Sequence, residues 1–152
     1  MKVKFWLYAL VLPACLYAPL SLGVAGEMIA LSVNGNLIHA ELALSAQSRE
    51  NGLMHRKAVC AHCGMLFVFP SSDKWSFWSK NTPLALSVAF IDRAGRIVQI
   101  VDMDADSTDN HTSNFDALYA LEMKRGWFAS HHVAAGHAIK GLKQVNAGFE
   151  AL

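Results

Sequence analysis

The densest chemistry in the sequence is Cys60-Ala61-His62-Cys63, two thiols three residues apart with an imidazole between them. Such a set can close a disulfide, cycle as a redox couple, or offer three ligands to zinc. Zinc needs a fourth ligand, and the spacing is not that of a standard zinc motif. A disulfide here closes a loop of only about four residues, which the chain-entropy account values at about 2 kcal/mol. A bond of that size is either a local clamp or a redox couple. Thiol oxidants with a related spacing hold their cysteines at a helix N-terminus, which lowers the thiol pKa. Here Gly64 and the apolar run Met65–Phe69 follow at once, with only His62 and Lys57 to favour a thiolate. A structural disulfide between Cys60 and Cys63 is the expected state, with redox activity as the alternative.

Phe77-Trp78-Ser79-Lys80-Asn81-Thr82 has the composition of a binding surface. In a strand, Trp75, Phe77 and Ser79 share one face while Ser76, Trp78 and Lys80 share the other. An indole beside an ammonium and an amide can stack on a sugar or similar ring while the polar groups donate and accept hydrogen bonds. The competing account has Trp78 closing one end of the core and Lys80 snorkelling to water. The ligand-binding candidates are therefore Trp78, Lys80, Asn81 and Thr82, joined by Glu122. That glutamate is expected on the polar face of its strand, paired with Lys80 or Arg125. No catalytic residue is assigned, because no partnered acid and base, nucleophile elbow, phosphate loop or metalloprotease signature is present. Seven histidines are scattered along the chain, and only His131, His132 and His137 fall close together. Adjacent side chains on a helix point apart, so these are expected to be solvent-exposed. Neither a metal nor a cofactor is expected.

The elements that must position these groups read mostly as short strands. Met28–Val33 and Asn36–Ala43 flank Asn34-Gly35, a pair suited to the positive φ angles of a tight hairpin turn. Ser45 is placed to cap a short helix over Ala46–Leu53 that ends near Gly52. Met65–Phe69 is apolar at every position, the pattern of a strand covered on both faces. Trp75–Ser79 follows a turn at Pro70-Ser71-Ser72-Asp73. Leu84, Leu86, Val88 and Phe90 alternate with smaller residues as a half-buried strand does, and Asp92-Arg93-Ala94-Gly95 turns the chain into Arg96–Val101. Asp104–Asn114 reads as a loop. Tyr119, Leu121 and Met123 point one way, with Glu122 and Lys124 the other. A helical turn or two is expected in Gly126–Val133, and a last strand in His137–Leu142. The fold class is mainly β: a compact, jelly-roll-like sandwich or barrel of short strands with one or two short helices.

Lys2 and Lys4 precede an apolar run from Phe5 to Leu22, followed by the small residues Gly23-Val24-Ala25. Positive end, apolar middle and small-residue cleavage site are the parts of a secretory signal peptide, here residues 1–25. Pro13 and Pro19 interrupt the run, unlike the unbroken stretch of roughly 18 apolar residues typical of a spanning helix, so no spanning segment is expected after cleavage. The alternative processing site is Leu12-Pro13-Ala14-Cys15, which looks like a lipobox and would anchor the protein by lipid at Cys15. Cleavage after Ala25 removes 25 of 152 residues and leaves 127, read as one β-rich domain over residues 26–152. It also removes Lys2 and Lys4, so 11 of the 13 basic side chains face 12 acidic ones. Near-neutrality without runs of like charge gives nucleic acid no obvious purchase. Cleavage further leaves Cys60 and Cys63 as the only cysteines of the three, an even pair in an oxidising compartment.

Several segments resemble the bacterial and archaeal family called domain of unknown function 192. They are Asn51-Gly52-Leu53-Met54, Gly64-Met65-Leu66-Phe67-Val68-Phe69, Phe77-Trp78-Ser79-Lys80-Asn81-Thr82, Phe90-Ile91-Asp92, and Tyr119-Ala120-Leu121-Glu122-Met123 with Gly126-Trp127-Phe128. Their order and spacing hold across roughly residues 28–143. The resemblance implies a compact, mainly β, jelly-roll-like domain, often exported, and carries no established activity. The family usually has arginine at position 51, methionine at 79, and a proline-leucine-aspartate run where Ala85-Leu86-Ser87 stands. The last difference removes a carboxylate beside Lys80 that a hydrolytic reading would use.

Together these features predict a periplasmic or secreted domain acting as a non-catalytic binding or accessory module, its partner an unidentified small ligand or an envelope protein. A thiol–disulfide redox protein using Cys60 and Cys63 is the alternative, and an envelope hydrolase a third reading. Mass spectrometry of the mature N-terminus is expected to show a chain starting near Gly26; a lipidated Cys15 would reverse that expectation.

Overall fold

The computed structural model describes residues 27–143 and residue 145, so the signal segment and Cys15 lie outside the described residues. Asn34 and Gly35 take φ of 48° and 79°, as a two-residue hairpin turn requires, and join β1 (Met28–Val33) to β2 (Asn36–Ala43). Ser45 then caps α1 (Ala46–Asn51). Its hydroxyl accepts from the Ser48 amide at 3.0 Å while the Ser48 hydroxyl accepts from the Ser45 amide at 2.9 Å, which satisfies two free donors at the helix start.

Six strands form the main sheet in the order β1-β2-β3-β8-β5-β6. Here β3 is Cys63–Asp73, β5 Leu86–Ile91, β6 Ile97–Met103 and β8 Ala117–Lys124. Only β2 and β3 run parallel; the other neighbours are antiparallel. The chain is mainly β, as its pattern implies. The sheet does not close into a barrel by pairing β1 with β6. Instead residues 138–140 reach both sides, bridging Lys140 to Ser32 and Ala138 to Arg96. The last strand expected over His137–Leu142 is thus reduced to two bridges.

Both faces of the sheet are covered. Strict alternation along β3 sends Leu66 and Val68 into one core, with Leu31, Ile38, Tyr119 and Leu121. Met65, Phe67 and Phe69 enter a second core with Phe77, Val88 and Phe90. That two-sided burial is why this strand reads as continuously apolar. A two-stranded ribbon of β4 (Ser76–Phe77) and β7 (His111–Thr112) lies at the second core, with Phe77 packed edge-on against Phe67 at 4.9 Å between ring centroids. The strand expected over Trp75–Ser79 is thus shortened to two paired residues, and the loop expected over Asp104–Asn114 contains β7. The second helix among the described elements, α2, is the single turn Trp127–Ser130.

Cys60 and Cys63 are joined by a disulfide that closes the turn entering β3, where the Cys63 amide also donates to the Cys60 carbonyl at 3.1 Å. The next residue, Gly64, lies against β8 so closely that a Cβ would sit 2.3 Å from the Glu122 carbonyl oxygen. A backbone oxygen cannot move aside without breaking the sheet ladder. Gly64→Ala is therefore expected to cost about 3 kcal/mol through overpacking. The paired Cys60→Ser and Cys63→Ser change should cost no more than about 2 kcal/mol, because the closed loop is so short. Urea denaturation of the two variants measures both, and a larger loss in the serine variant would contradict this ordering.

Candidate functional site

Against the second core lies a cavity of 230 Å³, bounded on one side by α1 with the residues that follow it and on the other by Trp75–Trp78. Phe69 and Trp75 stack at 4.2 Å between centroids, with their planes 9° apart. The Trp75 indole N–H donates to the Ala117 carbonyl at 3.1 Å, which holds the ring in place. Phe67, Phe77 and Trp78 add further aromatic wall, and Leu53 and Met54 close the α1 side. Gly52, the C-cap of α1 at φ 45°, turns the chain so that Leu53 points into the core while Phe67 contacts the glycine.

Glu122 supplies the inner carboxyl of this cavity. It sits on β8, directly between Met65 of β3 and Val88 of β5, and is only 4% exposed. Its Oε2 is buried without a hydrogen-bond partner. Removing the carboxylate from water disfavours its charged form, so burial pushes its pKa up to about 8. The polar strand face expected for Glu122 does not exist, because β8 is covered on both sides. Neither expected ion pair forms. Arg125 instead bonds Asp104, with its Nε 3.5 Å from Asp102, and Lys80 places its Nζ 5.6 Å from the centroid of the Trp78 ring.

The other sequence candidates divide between the cavity and its surroundings. Trp78, 44% exposed, and Thr82, buried, line the cavity together with Glu122. Lys80 and Asn81 do not. Asn81 adopts φ 56° and accepts from the His55 amide at 2.8 Å, so it shapes the turn that carries Thr82. The two faces expected in this segment are present, with Ser76, Trp78 and Lys80 exposed and Phe77 and Ser79 buried, even though only Ser76 and Phe77 pair as a strand. Ser79 bonds the Asp104 carbonyl. Ser87, where relatives are expected to carry aspartate, donates to Asp102 of β6 at 2.6 Å.

The disulfide lies apart from this cavity, at the start of β3, with a strand and not a helix following Cys63. His62 accepts from the Trp127 indole N–H at 3.4 Å, and His131 stacks on that indole at 4.3 Å. His131 is thus half-buried, and the solvent-exposed placement expected for it is corrected by this stacking; His132 is exposed. Among the described residues no three His, Cys, Asp or Glu side chains converge as a metal site.

The aromatic wall built by Phe67 and Phe69 is not apparent from any one segment of the sequence. Its signal is the placing of the two rings at alternate positions of β3, which share a face with Glu122 once β3 and β8 are known to pair.

A model of the domain of unknown function 192 family, described as uncharacterised ACR, matches residues 29–141. The chain belongs to that family. Its fold is similar to the crystal structure of a proposed transcription regulator from Sinorhizobium meliloti, 29% identical, with a TM-score of 0.74, covering 78% of this chain and 96% of that one. It is also similar to a protein of unknown function from Novosphingobium aromaticivorans, 23% identical, TM-score 0.74, covering 81% and 89% respectively. No curated protein matches the chain.

The raised pKa of Glu122 makes stability depend on pH in a definite direction. Between its ordinary value of 4.5 and about 8, the folded protein holds a proton that the unfolded chain releases. The neutral carboxyl is fully compatible with the fold below that window, and stability is lost as pH rises through it, by about 5 kcal/mol in all at 1.36 kcal/mol per unit. Glu122→Gln removes the ionisation. The variant is expected to match the parent within about 1 kcal/mol at pH 5 and to exceed it by several kcal/mol at pH 8.5. Urea titrations of both proteins at the two pH values provide the check, and equal differences at both would refute the assignment.

Proposed function

We propose that the chain is a non-catalytic binding module, exported through its N-terminal signal, that takes a small ligand into the cavity between α1 and Trp75–Trp78. The observation that carries this reading is the Glu122 carboxyl, with an unpartnered oxygen, at the wall of an aromatic cavity. Burying a polar group without a hydrogen bond costs free energy that a merely structural core would avoid by using an apolar residue. Concave sites lined by aromatic side chains, with one or two directed polar groups, are the usual form of small-molecule sites. Thr82 supplies a second polar group at the same wall.

An engineered apolar cavity of about 150 Å³ accommodates benzene, so 230 Å³ suits a ring with a short substituent and not a large cofactor. Trp78 serves as the outer wall, where its exposed ring can cover a bound molecule. Lys80 contributes by packing its ammonium against Trp78 and not by reaching the ligand. The transcriptional role proposed for the Sinorhizobium meliloti relative finds little electrostatic basis here, since residues 26–152 hold 11 basic and 12 acidic side chains.

Protein-detected NMR with single-ring aromatic probes tests the site. Shifts are expected at Gly52, Thr82 and Glu122, and at the indole N–H groups of Trp75 and Trp78. Trp78→Ala should weaken the best probe at least about tenfold, the loss of roughly 1.4 kcal/mol, while Lys80→Ala changes it less than about threefold. Failure of every probe to move these signals would remove the reading. A larger effect from Lys80→Ala than from Trp78→Ala would move the site to the outer face of the β4 segment.

A further inference from the structure

From the pairing of a buried, unpartnered carboxyl with a wall of aromatic rings, we propose that this cavity selects an organic cation: a primary or substituted ammonium carried on a small apolar body. The inference rests on the small-ligand reading above and names its ligand class. Three features point the same way. The face of an aromatic ring carries the negative part of its quadrupole and attracts a cation within about 6 Å of the centroid. Phe67, Phe69, Trp75, Phe77 and Trp78 all contribute wall to this one cavity. The group without a partner is an acid, whose ionised form only accepts hydrogen bonds and which an ammonium can satisfy with a charge-assisted donor.

Among the described residues no cation pairs with Glu122, and Lys80, which lies over the Trp78 ring, is outside the cavity lining. Besides Glu122, the charged groups lining the cavity are Arg49 and Glu50, both on α1. The Arg49 guanidinium donates to the backbone carbonyls of Leu44 and Val68, the latter at 3.0 Å, and so is committed to holding α1 against β3. Glu50 adds a negative charge that offsets Arg49 for an approaching cation. An anionic ligand would instead meet aromatic wall and a second acid, Glu50. A neutral ligand would use the rings and meet the protonated carboxyl through an uncharged hydrogen bond only, the weaker kind.

Ionising Glu122 for such a ligand is inexpensive at neutral pH. With a pKa pushed up to about 8, the carboxyl gives up its proton at pH 7 for about a tenfold reduction in affinity. Binding of a cation at pH 7 should accordingly release close to one proton, which neutral and anionic ligands would not do.

The test uses three probes with the same apolar body: 2-phenylethylammonium, 2-phenylethanol and phenylacetate. Isothermal titration of the mature protein at pH 7, in two buffers of different ionisation heat, reads affinity and proton release together. The ammonium is expected to bind at least about thirtyfold more tightly than either other probe, or roughly 2 kcal/mol, with close to one proton released. Glu122→Gln, confirmed folded by circular dichroism, should bring the ammonium to within about threefold of the alcohol. Trp78→Ala, which leaves the carboxyl in place, should weaken the ammonium more than the alcohol, because it removes a cation–π face. Equal binding of alcohol and ammonium, or a preference that survives Glu122→Gln, overturns the cation assignment and leaves the small-ligand site standing. If none of the three binds at millimolar concentration, both readings fall.

Discussion

The central strand β8 is constrained on four sides. It exchanges ladder hydrogen bonds with β3 and β5, its Tyr119, Leu121 and Met123 are sealed into one core, and Ala117 and Ala120 into the other. A residue in the middle of that strand cannot turn toward solvent, because each Cβ direction is fixed by the pleat and both directions lead inward there. Glu122 is held in this way with its backbone paired on both edges. The cavity is space beside this carboxyl, whose Oε2 has no partner among the described residues. Placement of the aromatic rings on β3 and β4, and of α1 beyond them, decides what a partner can be.

The close approach of Gly64 to β8 extends the same constraint to the entrance of β3. A side chain at position 64 would collide with the backbone of Glu122, so the glycine sets how near β3 lies to β8 and hence how the Phe67 and Phe69 rings stand relative to the carboxyl. The disulfide fixes the chain immediately before that glycine. Its contribution to global stability is small, since so short a loop loses little entropy on closure. A bond of this kind is better suited to preserving local geometry, here the angle at which the chain enters the sheet. The imidazole between the cysteines is drawn into the same local packing through the Trp127 indole.

Much of the fold was legible wherever its cause is local. Asn34-Gly35 announces a hairpin because few other pairs tolerate two positive φ angles, and Ser45 announces a helix start because its hydroxyl has a backbone donor three residues away. The apolar run in β3 correctly foretold burial on both faces. Alternation in β8 was read correctly as alternation but incorrectly as exposure. Period two states which side chains share a face, and says nothing of whether water lies beyond that face. Glu122 and Lys124 share a direction, yet one is covered by the second core and the other reaches solvent at the strand end. Of the candidate site, Trp78, Thr82 and Glu122 converge, although the sequence separates Glu122 from Thr82 by a hairpin and a crossover. Lys80 and Asn81 were drawn in by adjacency to Trp78, which a strand does not convert into proximity to a common pocket.

A buried glutamate in a mainly β core sets stability against recognition. Glutamine at position 122 would keep the shape of the side chain and remove the cost of ionisation, and an apolar residue would remove the unsatisfied oxygen as well. The family membership of the chain locates this glutamate within a recurring segment, Tyr119-Ala120-Leu121-Glu122-Met123, but family membership alone assigns it no task. The physical argument does more. A carboxyl whose pKa lies near neutrality changes charge for a modest expenditure of free energy, whereas one at its ordinary value would already be ionised and would demand a permanent counter-ion in the empty protein. On the cation reading proposed above, burial leaves Glu122 neutral in the empty cavity and able to ionise when a cation arrives. The same aromatic enclosure that raises the cost of charge in the empty state supplies the surface that would stabilise a cation in the filled one.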